Sequence, residues 1–208
     1  MVSIATMRQV VNRRFFHNLL PVPPTRPLEL GSLAPPFELL AVQRTAKVRL
    51  WDYVGTNPKE SPVPKRPVVV AFTRIFSETV YCPLCYPHIV ELNRQYQQFT
   101  ERGAEVLMVV SLDAAQAQTV ATDLGLQIPL LCDPTGRLFR LYRTGQALGA
   151  PLPAQFLIDP SGRVRFRHLF SFLEPNASVE RLLVALDRTW LQGGDRPPET
   201  PTETLASA

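Results

Sequence analysis

The chain has 208 residues, with 45% hydrophobic residues and a net charge of +4 (22 Lys and Arg against 18 Asp and Glu). That is enough for one domain with a full core and some decoration. No run approaches the ~20 apolar residues that span a bilayer, and no basic stripe with interleaved aromatics suggests nucleic acid as a partner.

Residues 1–28 form a basic N-terminal extension. They hold Arg8, Arg13, Arg14 and Arg26 and no acid, so the remainder of the chain nets zero. The "NRRFFHNLL" stretch looks like a twin-arginine signal, but "PVPP" cuts off the apolar run a signal needs. As a transit peptide it has poor amphipathicity, because Arg14 shares a helical face with Ile4, Met7 and Val11. The extension reads as helical and packed beside the domain, and without a credible signal peptide the expected location is the bacterial cytoplasm. Four arginines alone are a weak signal for an anionic surface.

Residues 29–192 are the domain. "PFELLAVQ" (36–43) and "AKVRLWDY" (46–53) read as a leading hairpin. "GTNPKESPVPKRP" (55–67) reads as a surface loop placed to cover the next element. "RPVVVAFTR" (66–74) is β-branched and apolar, a buried strand. After it comes Cys82-Pro83-Leu84-Cys85. Ile89, Leu92, Tyr96 and Phe99 then repeat at helical spacing up to a stop near Gly103.

Further on, "AEVLMVVS" (104–111) is a strand. Residues 113–125 are a helix capped by Asp113 and stopped at Gly125. "IPLLCD" (128–133) is a strand in which Cys132 is a core residue. Residues 134–144 hold a short helix, and 154–170 form a hairpin around an Asp-Pro-Ser-Gly turn. Residues 178–190 form a closing helix capped by Ser178. Parallel βα units followed by an antiparallel hairpin imply an α/β fold, a central mixed sheet with helices on both faces. The polar, Pro-rich tail, 193–208, reads as disordered.

The cysteine pair carries the chemistry. A structural zinc site needs a second Cys or His pair, and His17, His88 and His168 are scattered singly. Haem attachment needs a His where Tyr86 stands. A static disulfide across so short a loop would constrain the unfolded chain little. A reversible dithiol suits the spacing, since exchange is then intramolecular. The local pattern puts Cys82 at or just before a helix N-terminus, where unpaired N–H groups favour a thiolate. It puts Cys85 one turn in and more buried, with Pro87 early in the helix. His88 reads as an exposed helix residue and His168 as a strand residue without a role.

Four patterns occur in order: "LGSLAPPFEL", the strand with "TVYCPLC", "LLCDPTGRLFRLY" and "PAQFLIDPSGRV". Together they resemble the thioredoxin-like superfamily and, within it, the alkyl hydroperoxide reductase/thiol-specific antioxidant (redoxin) group. The resemblance covers roughly residues 29–192 and implies a thioredoxin-like fold.

Two active-site types are similar to this one. Thr79-Val80-Tyr81-Cys82 matches half of the peroxiredoxin signature. However, Ile75 replaces its proline, and Pro153 stands where its arginine would be. Tyr81 with the Cys pair and Pro153 match the thiol–disulfide oxidoreductases, in which the proline is cis and exposes backbone to a substrate strand. The resemblance therefore implies Cys82, Cys85, Thr79 and Pro153 as catalytic positions. Tyr81, Pro83 and Ala154 become the substrate-facing ones. It implies a disulfide oxidoreductase, with a Cys82 peroxidase or a non-turnover redox sensor as alternatives. No metal or organic cofactor is called for. The expected partners are oxidised protein thiols or hydroperoxides and an external thiol reductant such as a thioredoxin system. The expected form is a monomer or weak dimer.

Overall fold

A computed structural model describes residues 11, 13–24, 26–55 and 65–193. The readings placed on residues 1–10, on the body of the 55–67 loop (56–64) and on the tail beyond Gly193 lie outside the described residues.

The elements in chain order begin with α1 (Arg13–His17), β1 (Glu38–Ala41), β2 (Ala46–Arg49) and β3 (Val68–Phe72). A small hairpin follows, β4 (Ile75–Ser77) with β5 (Val80–Tyr81), then α2 (Tyr86–Arg94) and α3 (Tyr96–Glu101). Next are β6 (Glu105–Val110), α4 (Ala114–Asp123), β7 (Leu130–Cys132), α5 (Arg137–Leu141) and a second small hairpin, β8 (Gln146–Ala147) with β9 (Ala150–Pro151). The chain closes with β10 (Ala154–Ile158), β11 (Val164–Leu169) and α6 (Val179–Gly193).

Seven strands form one sheet in the order β11-β10-β3-β6-β7-β1-β2. β3, β6 and β7 are parallel, while β10, β11, β1 and β2 join antiparallel. Strand alternation divides the core into two layers. Val69 and Ala71 of β3, with Val106, Met108 and Val110 of β6, face α2, α3, α4 and α6. Val68, Val70 and Phe72, with Leu107 and Val109, face α5 and the segments around Phe37 and Tyr53. β3 is buried throughout because it lies mid-sheet with both faces covered. The leading hairpin, the mixed sheet and the helices on both faces are therefore as the sequence implied.

The helix expected after the cysteines is interrupted at Gln95, so α2 and α3 are separate. The helical stretch ends near Gly103 as expected: Gly103 takes φ +72° and Ala104 N–H bonds the Phe99 carbonyl. Asp113 caps α4 by accepting from Gln116 N–H at 2.9 Å. We expect Asp113→Ala to cost about 1 kcal/mol and to lower Tm by about 2–4 °C, read by calorimetry.

The N-terminal arm packs on the β8–β9 hairpin. Val22 bridges Gln146, with both backbone bonds at 2.8 Å, and Gly149 N–H bonds the Asn18 carbonyl at 3.0 Å. Gly149 adopts φ +80° beneath the Phe15 ring, and a Cβ there would stand 2.0 Å from that ring. Glycine is required on both counts.

Candidate active site

β3 ends at Phe72, and the chain turns through Thr73 and Arg74 into the β4–β5 hairpin. There Ile75 registers against Tyr81. One step further out, that register sets Arg74 beside Cys82. The two cysteines then form a tight turn. N–H of Cys85 and N–H of Tyr86 both donate to the Cys82 carbonyl, at 3.0 and 2.9 Å. Cys85 is consequently the N-cap of α2 and not one turn inside it, as expected from the sequence. The tight turn consumes the residues that a longer helix would have used. Pro87 falls in the first turn of α2, where its missing donor costs nothing.

Both thiols are free, with Cys82 at 5% exposure and Cys85 at 1%. Their environments push them apart. The Cys85 S–H donates to Cys82, and this contributes most to drawing Cys82 down to about 6 against the opposing effect of burial. Backbone N–H groups of Leu84 and Cys85 and the Arg74 charge act in the same direction. Cys85 is pushed up, first by its bond to Cys82, then by burial and by the negative charge of Cys82. One site thus holds a ready nucleophile and a protonated reserve.

Arg74, which in the sequence reads as the end of a strand, lies at the site. It is 7% exposed, and its guanidinium lies 4.7 Å from the centre of the Phe76 ring. Its Nη2 donates to the carbonyls of Ala147 and Leu148 in the β8–β9 turn. Its Nε is buried without a hydrogen-bond partner, as is Oγ1 of Thr73. Among the described residues no carboxylate pairs with it. Burial lowers its pKa, while the Cys82 and Cys85 sulfurs pull the other way. The available signal was a charge at the carboxyl end of a buried parallel strand, where open α/β sheets place their sites.

Other expected residues are placed as follows. Tyr81 is half-buried, packs on the core and meets the Tyr86 ring edge-on at 5.4 Å. Pro83 is exposed beside Cys82. Thr79 sits at the exposed β4–β5 turn, where its hydroxyl is 3.4 Å from that of Ser77. Pro153 and Ala154 lie at the end of β10. Ala154 registers against Phe72, which brings Pro153 level with Thr73.

Two readings at that end of β10 are corrected. No peptide bond among the described residues is cis, so the Leu152–Pro153 bond is trans, the isomer an X-Pro bond ordinarily favours. Ala154 is fully buried and registers against Phe72 on one side and Leu169 on the other. A central strand offers no free edge for a substrate strand.

His88 is also corrected. It is half-buried, its Nε2 has no partner, and burial lowers its pKa to about 4. Cys132 is a core residue as read, pushed up to about 11 by burial. A polar clasp holds the cysteine loop to the sheet. Gln155 donates to Asn176 at 2.9 Å, and Asn176 donates to the Leu84 carbonyl at 3.0 Å. Among the described residues, no three His, Cys, Asp or Glu side chains gather as a metal set.

The AhpC/TSA family matches residues 30–167, from the loop before β1 into β11. The chain belongs to this family. It is 29% identical over 111 residues to Peroxiredoxin 1 of Sulfuracidifex metallicus, covering 50% of this chain and 51% of that one. It is 27% identical over 137 residues to the thiol-disulfide oxidoreductase ResA of Geobacillus thermodenitrificans, covering 65% and 67%. It thus spans about half the length of the first relative and about two thirds of the second. Reduced 2-Cys peroxiredoxin of Plasmodium vivax superposes with TM-score 0.64 at 20% identity, covering 79% of this chain and 98% of that one. The thioredoxin-like fold and the redoxin membership implied by the four sequence patterns are therefore in place.

Proposed function

We propose that this redoxin is a thiol–disulfide oxidoreductase that cycles between a Cys82–Cys85 dithiol and disulfide. The observation that carries this is the asymmetry of the pair, a stabilised Cys82 thiolate and a Cys85 thiol that donates to it.

In the first step the Cys82 thiolate attacks one sulfur of a substrate disulfide. A mixed disulfide forms and the other substrate sulfur leaves as thiolate. That step removes the negative charge and the acceptor that hold the proton on Cys85. The Arg74 backbone N–H and charge, which favour a Cys85 thiolate, remain. Cys85 therefore becomes a nucleophile at the stage when one is needed. It passes its proton to the departing thiolate or to water and attacks Cys82. The second substrate sulfur leaves, and two electrons have moved to the substrate. An external dithiol reductant such as a thioredoxin system restores the pair.

A second reading has its own support. The unpartnered Nε of Arg74, whose charge acts on both sulfurs, is a donor suited to an oxygen, and Thr73 Oγ1 beside it in sequence is likewise buried without a partner. They favour hydroperoxide reduction, in which Cys82 becomes a sulfenic acid and Cys85 expels the hydroxyl as water, forming the disulfide. The two readings part on substrate. The purified chain is expected to reduce insulin-type disulfides with a dithiol reductant faster than it consumes hydroperoxide with the same reductant. Faster peroxide consumption, lost in Cys85→Ser, assigns the second reading and sinks the first.

A further inference from the structure

Among its described residues, the N-terminal arm is held on one side and exposed on the other. Gln146 Nε2 donates to the carbonyls of His17 and Leu20 at 3.1 and 3.3 Å, adding to the Val22–Gln146 bridge. Asn18 is buried and Phe15 lies over Gly149. Val11, Phe16, Leu19, Leu20 and Val22 are exposed, with Phe16 at 63% and Leu20 at 74%. Five of the seventeen large apolar side chains exposed among the described residues thus fall within twelve positions. Leu148, at the tip of the hairpin that carries the arm, is 69% exposed. Monomeric surfaces seldom concentrate apolar groups in this way without a partner.

The charge beside this patch has one sign. Arg26 from the arm, with Arg140 and Arg143 at α5, lines a cleft of about 500 Å³ together with Val22, Pro23 and Phe139. No acid lines it. Residues 1–28 and 134–158 contain no Asp or Glu at all. Among the described residues none of these three guanidiniums pairs with a carboxylate. Arg140 and Arg143 are directed to backbone carbonyls, those of Thr135 and Arg26.

We propose that the arm and α5 together dock this protein on an anionic bilayer surface. Exposed Phe and Leu enter the headgroup boundary, and the arginines meet lipid phosphates and carboxylates. Nucleic acid would use the charge but not the aliphatic side chains, and an apolar protein partner would use the side chains but not the charge. A bilayer interface uses both. Among the described residues no helix is long and apolar enough to cross a membrane. The sequence displayed four arginines and could not display this face. α5 reaches the arm only through the fold.

The test is flotation of the full chain with vesicles of phosphatidylcholine alone or mixed with phosphatidylserine. At low salt, partition into the mixed vesicles is expected to exceed that into neutral ones by at least about tenfold, and to fall as salt rises. Phe16→Ser with Leu20→Ser should weaken binding to the mixed vesicles. Arg26→Glu with Arg140→Glu should remove the preference for them. Both double variants should keep the wild-type Cys82 alkylation rate, which shows that the domain is intact. No partition, equal partition into both vesicles, or tighter binding of duplex DNA than of the mixed vesicles overturns the proposal. So does a salt-independent dimer that Phe16→Ser with Leu20→Ser dissolves, since that assigns the face to a second copy.

Discussion

Cys82→Ser is expected to lower turnover at least about a thousandfold with either disulfide or hydroperoxide, because it removes the sulfur that the resting dithiol holds as a thiolate. Cys85→Ser should behave differently. The first attack survives, so a stable mixed disulfide accumulates and turnover stops after one event. Mass spectrometry of the protein after one equivalent of a disulfide substrate reads this directly. Release of substrate from Cys85→Ser at the wild-type rate would remove Cys85 from the resolving role.

The pH dependence carries a definite sign. The Cys82 thiolate is the reactive form and its pKa is lowered to about 6. Alkylation by iodoacetamide should therefore be near its plateau at neutral pH. It should fall as pH drops through about 6, where the thiolate takes up a proton. The Cys85 S–H is the largest favourable influence on that thiolate. Cys85→Ala should move the midpoint up toward the free-thiol value of about 8.5, further than any other single change here.

The parts of this site that were legible in the sequence are those that depend on neighbouring residues. "VVVAF" reads as a buried strand because five β-branched, small or aromatic residues leave no polar face, and β3 is buried on both sides. The Cys-x-x-Cys pair reads as redox-active because its spacing and lack of companion ligands eliminate the other uses. Asp113 reads as a cap because the helix pattern begins at the next residue. The illegible parts depend on what the chain brings back from a distance. Arg74 is distinguished by carbonyls 73 and 74 positions away. His88 looks exposed on its own helix, yet burial lowers its pKa to about 4. Pro153 could be placed by pattern, but its peptide isomer belongs to the loop as a whole, and Ala154 is closed off by the strands on either side of it.

Arg74→Met tests the one site residue that only the structure disclosed. Burying a guanidinium without a carboxylate costs several kcal/mol. The site offsets this with two backbone carbonyls, the Phe76 ring and the negative charge of the dithiol. Only the last of these changes during the reaction. When Cys82 and Cys85 join as a disulfide, Arg74 loses its anion and the oxidised form is destabilised relative to the reduced one. Arg74 therefore makes the pair a stronger oxidant. Removing its charge should raise the Cys82 pKa, by less than Cys85→Ala does, because the Arg74 charge is the smallest favourable influence on Cys82. Each unit of that rise should make the reduction potential more negative by about 30 mV. Turnover should fall about ten- to a hundredfold, since the fixed buried cation that favours the Cys82 thiolate is gone. Arg74→Lys separates charge from shape: it should keep the thiol pKa near wild type and still lose rate. A merely structural role for Arg74 predicts lower Tm in both variants with pKa and potential unmoved, and that result would discard the assignment.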